Sequence, residues 1–164
     1  MLRVGTVGTS SIMRTIQEAI RLTDGMECRV VYSRTEEQGR AFAAEMGVPE
    51  HCTDYAAMLE RSDLDLIDIA SPNRFHVEQA LAALEHGIVE KPAAVTRGDV
   101  QRLIDAARAN GVYFFEAITT LFMPQYEACR LLLPKLGRIE QAHITYAQYS
   151  SRYDAYLRGE NPNI

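Results

Sequence analysis

The stretch HGIVEKP, residues 86–92, sets a carboxylate, Glu90, beside an ammonium, Lys91, directly after two apolar residues and before a proline. A cation held on stiff backbone can polarise or hydrogen-bond a substrate hydroxyl, and a neighbouring acid can keep that cation in place. Pro92 restricts Lys91 to extended or turn geometry. The same two charges on a solvated loop are an ordinary surface ion pair of little energetic worth. A site at the edge of a sheet accounts for both the charges and the apolar lead-in.

Three other stretches carry residues suited to one kind of ligand. VGTVGTSSI, residues 4–12, passes from a β-branched run through the small residues Gly8, Thr9 and Ser10 into helical spacing. The start of a helix presents unpaired N–H groups and a positive dipole end, which suit a pyrophosphate. Against a G-x-G-x-x-G pattern Gly8 matches, whereas Ser10 and Met13 stand at the second and third glycines, and Ser10 reads equally as a helix N-cap. YSR, residues 32–34, follows a second strand-like run. An acid there would read ribose hydroxyls and an arginine accommodates a 2′-phosphate, so Ser33 and Arg34 favour NADP(H) over NAD(H); the alternative is a surface arginine at a strand end. SPNRFH, residues 71–76, joins a stiff proline turn to Asn73 and His76. Asn73 reads also as a cap of the next helix, and His76 faces either ligand or solvent.

These residues need elements to position them. LRVGTVG (2–8), CRVVYS (28–33), LDLIDIA (64–70) and VYFFEA (112–117) read as strands. Residues 10–24, 36–47, about Phe75 to His86, and 97–111 read as helices, two of them stopped by Gly47 and Gly111. Strands alternating with 10–15 residues of helix predict a parallel sheet with helices on both faces, and ligands beyond the strands' carboxyl ends. Gly8 to Ser11, Ser33-Arg34, Ser71 to Asn73, Glu90-Lys91 and Glu116 all fall just after strands. Beyond Ala117 the pattern changes to an amphipathic helix over 122–137 and a long strand over 138–153, rich in Thr, Tyr and Ile. The division expected is a Rossmann domain over 1–118 and the start of a second, truncated α/β domain over 119–164.

Composition narrows the function classes. The 164 residues are 47% apolar and 24% charged, with a net charge of −5, so they carry no basic footprint for nucleic acid or an acidic membrane. No apolar run approaches the roughly 20 residues needed to span a bilayer, and the first residues lack the apolar core of a secretory signal. A cytoplasmic protein is expected. Cys28, Cys52 and Cys129 are odd in number and widely spaced, which fits reduced packing residues and no metal site.

Taken together, VGTVGTSSI, YSR, DLIDIASPNRFHVEQALAALEHG, VEKPAAVT and YFFEAITTLFMP resemble, in order and spacing, the Gfo/Idh/MocA family of oxidoreductases across essentially the whole chain. The resemblance implies a doubly wound Rossmann domain followed by an open-sheet α/β domain, about twice this length in total. It implies hydride transfer between NADP(H), or NAD(H), and an alcohol or carbonyl on a sugar, polyol or dihydrodiol. By that resemblance Gly8, Thr9, Ser10 and Ile12 would line the pyrophosphate, and Ser33 and Arg34 would meet the adenosine ribose or its phosphate. Ala70, Ser71, Pro72 and Asn73 would flank the adenine-to-ribose stretch with His76 close by. Glu90, Lys91 and Pro92 match the family's EKP, whose lysine contacts substrate and nicotinamide, and Glu116 with Ala117 matches the end of the last Rossmann strand. A homo-oligomer through the second-domain sheet is expected from the family and from the unpaired 138–153 strand.

Two departures from the family pattern matter. Only Ile88 and Val89 separate Gly87 from Glu90, where about five residues are usual. At roughly 3.3 Å per residue the loss of three removes about 10 Å, so the strand or the end of the preceding helix must rearrange. The family's Asp-x-x-x-His acid–base pattern is absent as well; Asp154 is followed by AYLRG. The alternative to an enzyme is a non-catalytic module that binds a dinucleotide or a partner protein.

Overall fold

Apolar runs that are buried on both faces make the sheet. Within Leu2–Val7 (β1), Val4 to Val7 are consecutively buried, and Val30 and Val31 of Met26–Tyr32 (β2) and Ile67 and Ile69 of Leu66–Ile69 (β4) have no exposed surface. Continuous burial is the signature of parallel strands covered by helices above and below. Glu50–Cys52 (β3), Gly87–Val89 (β5) and Phe114–Glu116 (β6) complete a six-stranded sheet in the order β3-β2-β1-β4-β5-β6, parallel at each pairing. This is the doubly wound Rossmann order, with its switch between β1 and β4. The computed structural model describes residues 1–83, 87–89, 92–145, 147 and 153–159, with 87–89, 155 and 156 as backbone alone.

The helices begin and end where their sequence supplies caps. Ser11–Leu22 (α1) is capped by Ser10, Glu36–Met46 (α2) by Thr35, Tyr55–Leu59 (α3) by Asp54, and Arg97–Asn110 (α5) by Thr96. Gly47 and Gly111, both left-handed, stop α2 and α5. One core cluster gathers Met58, Ile67, Ile69, Ala80 and Leu103, and the other gathers Met13, Val31, Phe42 and Val48. Full burial of such side chains contributes about 1.5–3 kcal/mol each against the unfolded chain. Behind β1 the buried Gln17 amide donates to Thr6 Oγ1 at 2.9 Å and to Cys28 Sγ at 3.2 Å, so α1 is pinned to β1 and β2 without an unsatisfied group.

The structure departs from the sequence expectations at four places. β3 and α3 were not predicted; at three and five residues they are too short to carry a period. His76–Ala82 (α4) ends four residues before His86, and Gly87 itself enters β5, with Ile67, Asp68 and Ile69 opposite Gly87, Ile88 and Val89. Gly87 is thus the first residue of the strand, and both residues of the short spacer before Glu90, Ile88 and Val89, pair with β4. Cys28 and Cys52 pack against the two clusters, but Cys129 is exposed.

The fourth departure lies in the second of two compact units, Met1–Ala117 and Ile118–Ile164. Pro124–Leu132 (α6) runs into a 3-10 turn at Leu133–Leu136, and Tyr153–Leu157 (α7) is helical. The described residues 138–145 form no strand, where a long one was expected. Thr, Tyr and Ile favour a strand only when a partner backbone pairs with it, and none stands beside this segment among the described residues. No helix among the described residues is long and apolar enough to cross a membrane.

Candidate functional site

Because β1, β2 and β4 are adjacent and parallel, their carboxyl ends leave the sheet along one edge. A cavity of about 230 Å³ lies there, at the switch between β1 and β4. The turn after β1 supplies Gly8, Thr9 and Ser10 to its lining. Gly8 has φ 115°, and a Cβ on it would stand 2.9 Å from the Ala70 carbonyl oxygen, so only glycine lets the turn pass this close to the end of β4. Its N–H donates to the Tyr32 carbonyl at 3.0 Å, and the Ala70 N–H donates to Val7 at 3.0 Å, which fixes the turn between both neighbouring strands.

Ser10 lines the cavity and also caps α1, accepting from the Met13 N–H at 3.3 Å. Its carbonyl takes the Arg14 N–H, which leaves the Ser11 and Ile12 N–H groups with no intrahelical acceptor. Arg14 braces the turn from below, donating to the Thr9 carbonyl at 3.3 Å while its guanidinium forks onto Glu45 at 2.7 and 2.8 Å. That fork joins α1 to α2.

The end of β2 supplies Tyr32, Ser33 and Arg34, and α2 adds Gln38. Ser33 is buried and its N–H donates to the Cys52 carbonyl at 3.0 Å. Gly39 allows α2 to start this close, because a Cβ there would meet Ser33 Cβ at 3.2 Å. Arg34 is exposed and, among the described residues of the lining, is the one fully charged side chain, with no carboxylate beside it. From β4 come Ala70, Ser71 and Pro72, faced by Phe75 and Gln79. The Ser71 hydroxyl donates to Gln79 Oε1 at 2.5 Å, and the Gln79 carbonyl accepts from Tyr55 Oη at 2.8 Å. Burial pushes the Tyr55 phenol upward, so it stays a donor.

Of the residues expected at a ligand, Gly8, Thr9, Ser10, Ser33, Arg34, Ala70, Ser71 and Pro72 therefore meet around one cavity. Ile12, Asn73, His76 and Glu116 do not line it. Ile12 is half exposed on α1. Asn73 opens a 3-10 turn, Asn73–Phe75, inserted between the proline and α4, so the cap position of α4 falls on Phe75 and no side chain fills it. His76 faces neither ligand nor solvent. It is 1% exposed, with Nε2 2.7 Å from the Ser71 carbonyl and Nδ1 3.0 Å from the Pro92 carbonyl. The Glu116 carboxylate accepts from the Ala93 N–H at 2.8 Å.

Glu90 and Lys91 lie outside the described residues. Their two flanks are described: Val89 pairs level with Ile69, and the Pro92–Ala93 peptide is bonded at both edges. Sequence reasoning missed Val7, Tyr32, Gln38, Phe75 and Gln79. Only Gln38 had a signal, since Thr35 and Gln38 stand at the spacing of a helix-start motif directly after YSR.

The chain matches the family model described as an oxidoreductase family with an NAD-binding Rossmann fold, over residues 2–118. It is 40% identical over 166 residues to the uncharacterized oxidoreductase YgjR of Escherichia coli (strain K12), covering 99% of this chain and 51% of that protein. It is 35% identical over 162 residues to scyllo-inositol 2-dehydrogenase (NADP(+)) IolU of Bacillus subtilis (strain 168), covering 97% and 49%. Among solved structures it resembles KijD10, a 3-ketoreductase from Actinomadura kijaniata in complex with NADP and TDP-benzene, with a TM-score of 0.76 and 28% identity over 82% of this chain and 42% of that one. The chain spans about half the length of the curated relatives it matches.

Proposed function

The chain belongs to the Gfo/Idh/MocA family of oxidoreductases, and we propose that it serves NADP(H)-dependent hydride transfer to or from a carbon of a cyclitol, sugar or related alcohol. The observation that carries this reading is the cavity at the switch between β1 and β4, where a Cβ on Gly8 would fill the space against Ala70. The residues present fit a dinucleotide. Small side chains at Gly8 and Thr9 admit a pyrophosphate, and the free N–H groups at the start of α1 donate to it. Arg34 beside Ser33, with no acid among the described residues of the lining, favours a 2′-phosphate over a bare ribose. Ser71 is held by Gln79 and forms the opposite wall.

When bound, the nicotinamide coenzyme supplies the hydride acceptor or donor. Lys91 is assigned to the substrate oxygen, where its ammonium holds and polarises the group that changes between hydroxyl and carbonyl. Glu90 is assigned to hold that ammonium. The register of β5 beside β4 supports this assignment, because it brings Val89, the residue before Glu90, level with Ile69, the residue before Ala70 of the cavity wall. The substrate class rests on the scyllo-inositol 2-dehydrogenase and 3-ketoreductase activities named for IolU and KijD10. A cytoplasmic location is part of the same proposal.

Titration of the protein with NADPH and with NADH, followed by nicotinamide fluorescence, tests the reading. NADPH is expected to bind at least about tenfold tighter, from one charge-assisted contact. Reduction of NADP+ with scyllo-inositol and a panel of sugar alcohols then tests turnover. Equal affinity for both coenzymes removes the Arg34 assignment, and binding without turnover on any alcohol makes the chain a dinucleotide-binding module.

A further inference from the structure

We propose that His76 and Glu116 are positioning residues: together they clamp the single peptide group between Pro92 and Ala93 and so set the anchor from which Lys91 extends. The inference rests on the hydride-transfer reading for its consequence, while the clamp itself rests on geometry.

The carbonyl of Pro92 and the N–H of Ala93 belong to one planar peptide unit, and in the trans form they point in opposite directions. His76 Nδ1 lies 3.0 Å from that carbonyl, and Glu116 Oε1 accepts from that N–H at 2.8 Å. Each polar group of the unit is thus taken up by a side chain from a different element, His76 from α4 and Glu116 from β6. Two bonds at opposite edges of a rigid plane fix its direction, which one bond cannot do. The proline ring then fixes φ, so ψ of Pro92 is the one soft torsion between the clamped plane and the Lys91 carbonyl.

The same imidazole reaches the cavity wall. Its Nε2 is 2.7 Å from the carbonyl of Ser71, a residue that lines the cavity. His76 thereby links the wall at Ser71 to the peptide after Lys91, two segments 21 positions apart in sequence. Occupancy of the cavity would be felt at Ala93 through this ring.

Amide hydrogen exchange of the full chain, read by NMR at Ala93 with and without NADPH, tests the clamp. Glu116→Ala is expected to speed Ala93 exchange roughly tenfold, as loss of one hydrogen bond does, while the Leu103 amide keeps its wild-type rate. Glu116→Gln keeps an acceptor oxygen and restores protection. In wild type NADPH slows Ala93 exchange further; in His76→Gln NADPH still binds but that added protection disappears. Unchanged Ala93 exchange in Glu116→Ala overturns the proposal, as does NADPH-induced protection that survives in His76→Gln. If the wild-type chain does not bind NADPH, the coenzyme reading falls, and Ala93 exchange in Glu116→Ala and Glu116→Gln still decides the clamp.

Discussion

Gly8 and Ala70 lie so close that the first has no room for a side chain: a Cβ on Gly8 would stand 2.9 Å from the Ala70 carbonyl oxygen, on a backbone already at φ 115°. Both facts act against any replacement, because the obstacle is backbone, which cannot swing aside as a side-chain end can. Gly8→Ala is expected to cost about 1–3 kcal/mol from the disfavoured dihedral, with the contact added to it. Thermal unfolding should show a Tm several degrees lower, and NADPH titration should show binding lost even at temperatures where the variant is folded. A variant with wild-type Tm and affinity would remove Gly8 from the site.

Arg34 separates the two coenzymes. As the one fully charged side chain among the described residues of the lining, it has a partner on NADPH that NADH does not offer. Arg34→Ala is expected to weaken NADPH about 10- to 100-fold, the value of one charge-assisted contact, and to move NADH less than about threefold. Raising the salt concentration should weaken NADPH in wild type more than in the variant.

The pairing of Arg3 with Asp65 gives an acid-sensitive contact. The guanidinium donates to both carboxylate oxygens at 2.7 and 2.9 Å, and the Arg3 N–H donates to the same carboxylate at 2.8 Å. These bonds to Arg3 hold the Asp65 carboxyl well below the usual carboxylate range. A carboxyl depressed in the folded state contributes stability above its unfolded value of about 3.9, and that stability is lost as pH falls further. Asp65→Asn should therefore lower Tm at neutral pH and flatten the decline of Tm below about pH 4. Glu45 and Asp63, also lowered by arginine partners, keep some of the acid slope in the variant.

The thiols should react in an order set by exposure and charge. Cys129 is exposed, whereas burial pushes the Cys28 and Cys52 thiols up and thins their thiolate. Brief alkylation with iodoacetamide near neutral pH, read by mass spectrometry, is expected to label Cys129 first and Cys28 last. Bound NADPH should leave that order unchanged, since none of the three lines the cavity.

The sequence by itself determined the winding and most of one wall of the site. Val4 to Val7, Val30-Val31 and Ile67 to Ile69 announce buried strands, Gly47 and Gly111 stop helices, and a chain that alternates this way must be parallel. Once β1, β2 and β4 are adjacent and parallel, Gly8, Ser33 and Ser71 have to meet, because residues just past parallel strands share one edge. Tertiary structure alone decided what depends on a distant partner. β3 and α3 are too short to carry a period, residues 138–145 have strand-forming side chains without a strand beside them, and Gly87 joins β5 because β4 offers it a ladder. His76 looked like a candidate ligand from its place after a proline turn; its two carbonyl partners lie 5 and 16 residues away along the chain. Local pattern records period and face, whereas the pairing of a buried polar group is fixed only when the chain folds and a donor must find an acceptor.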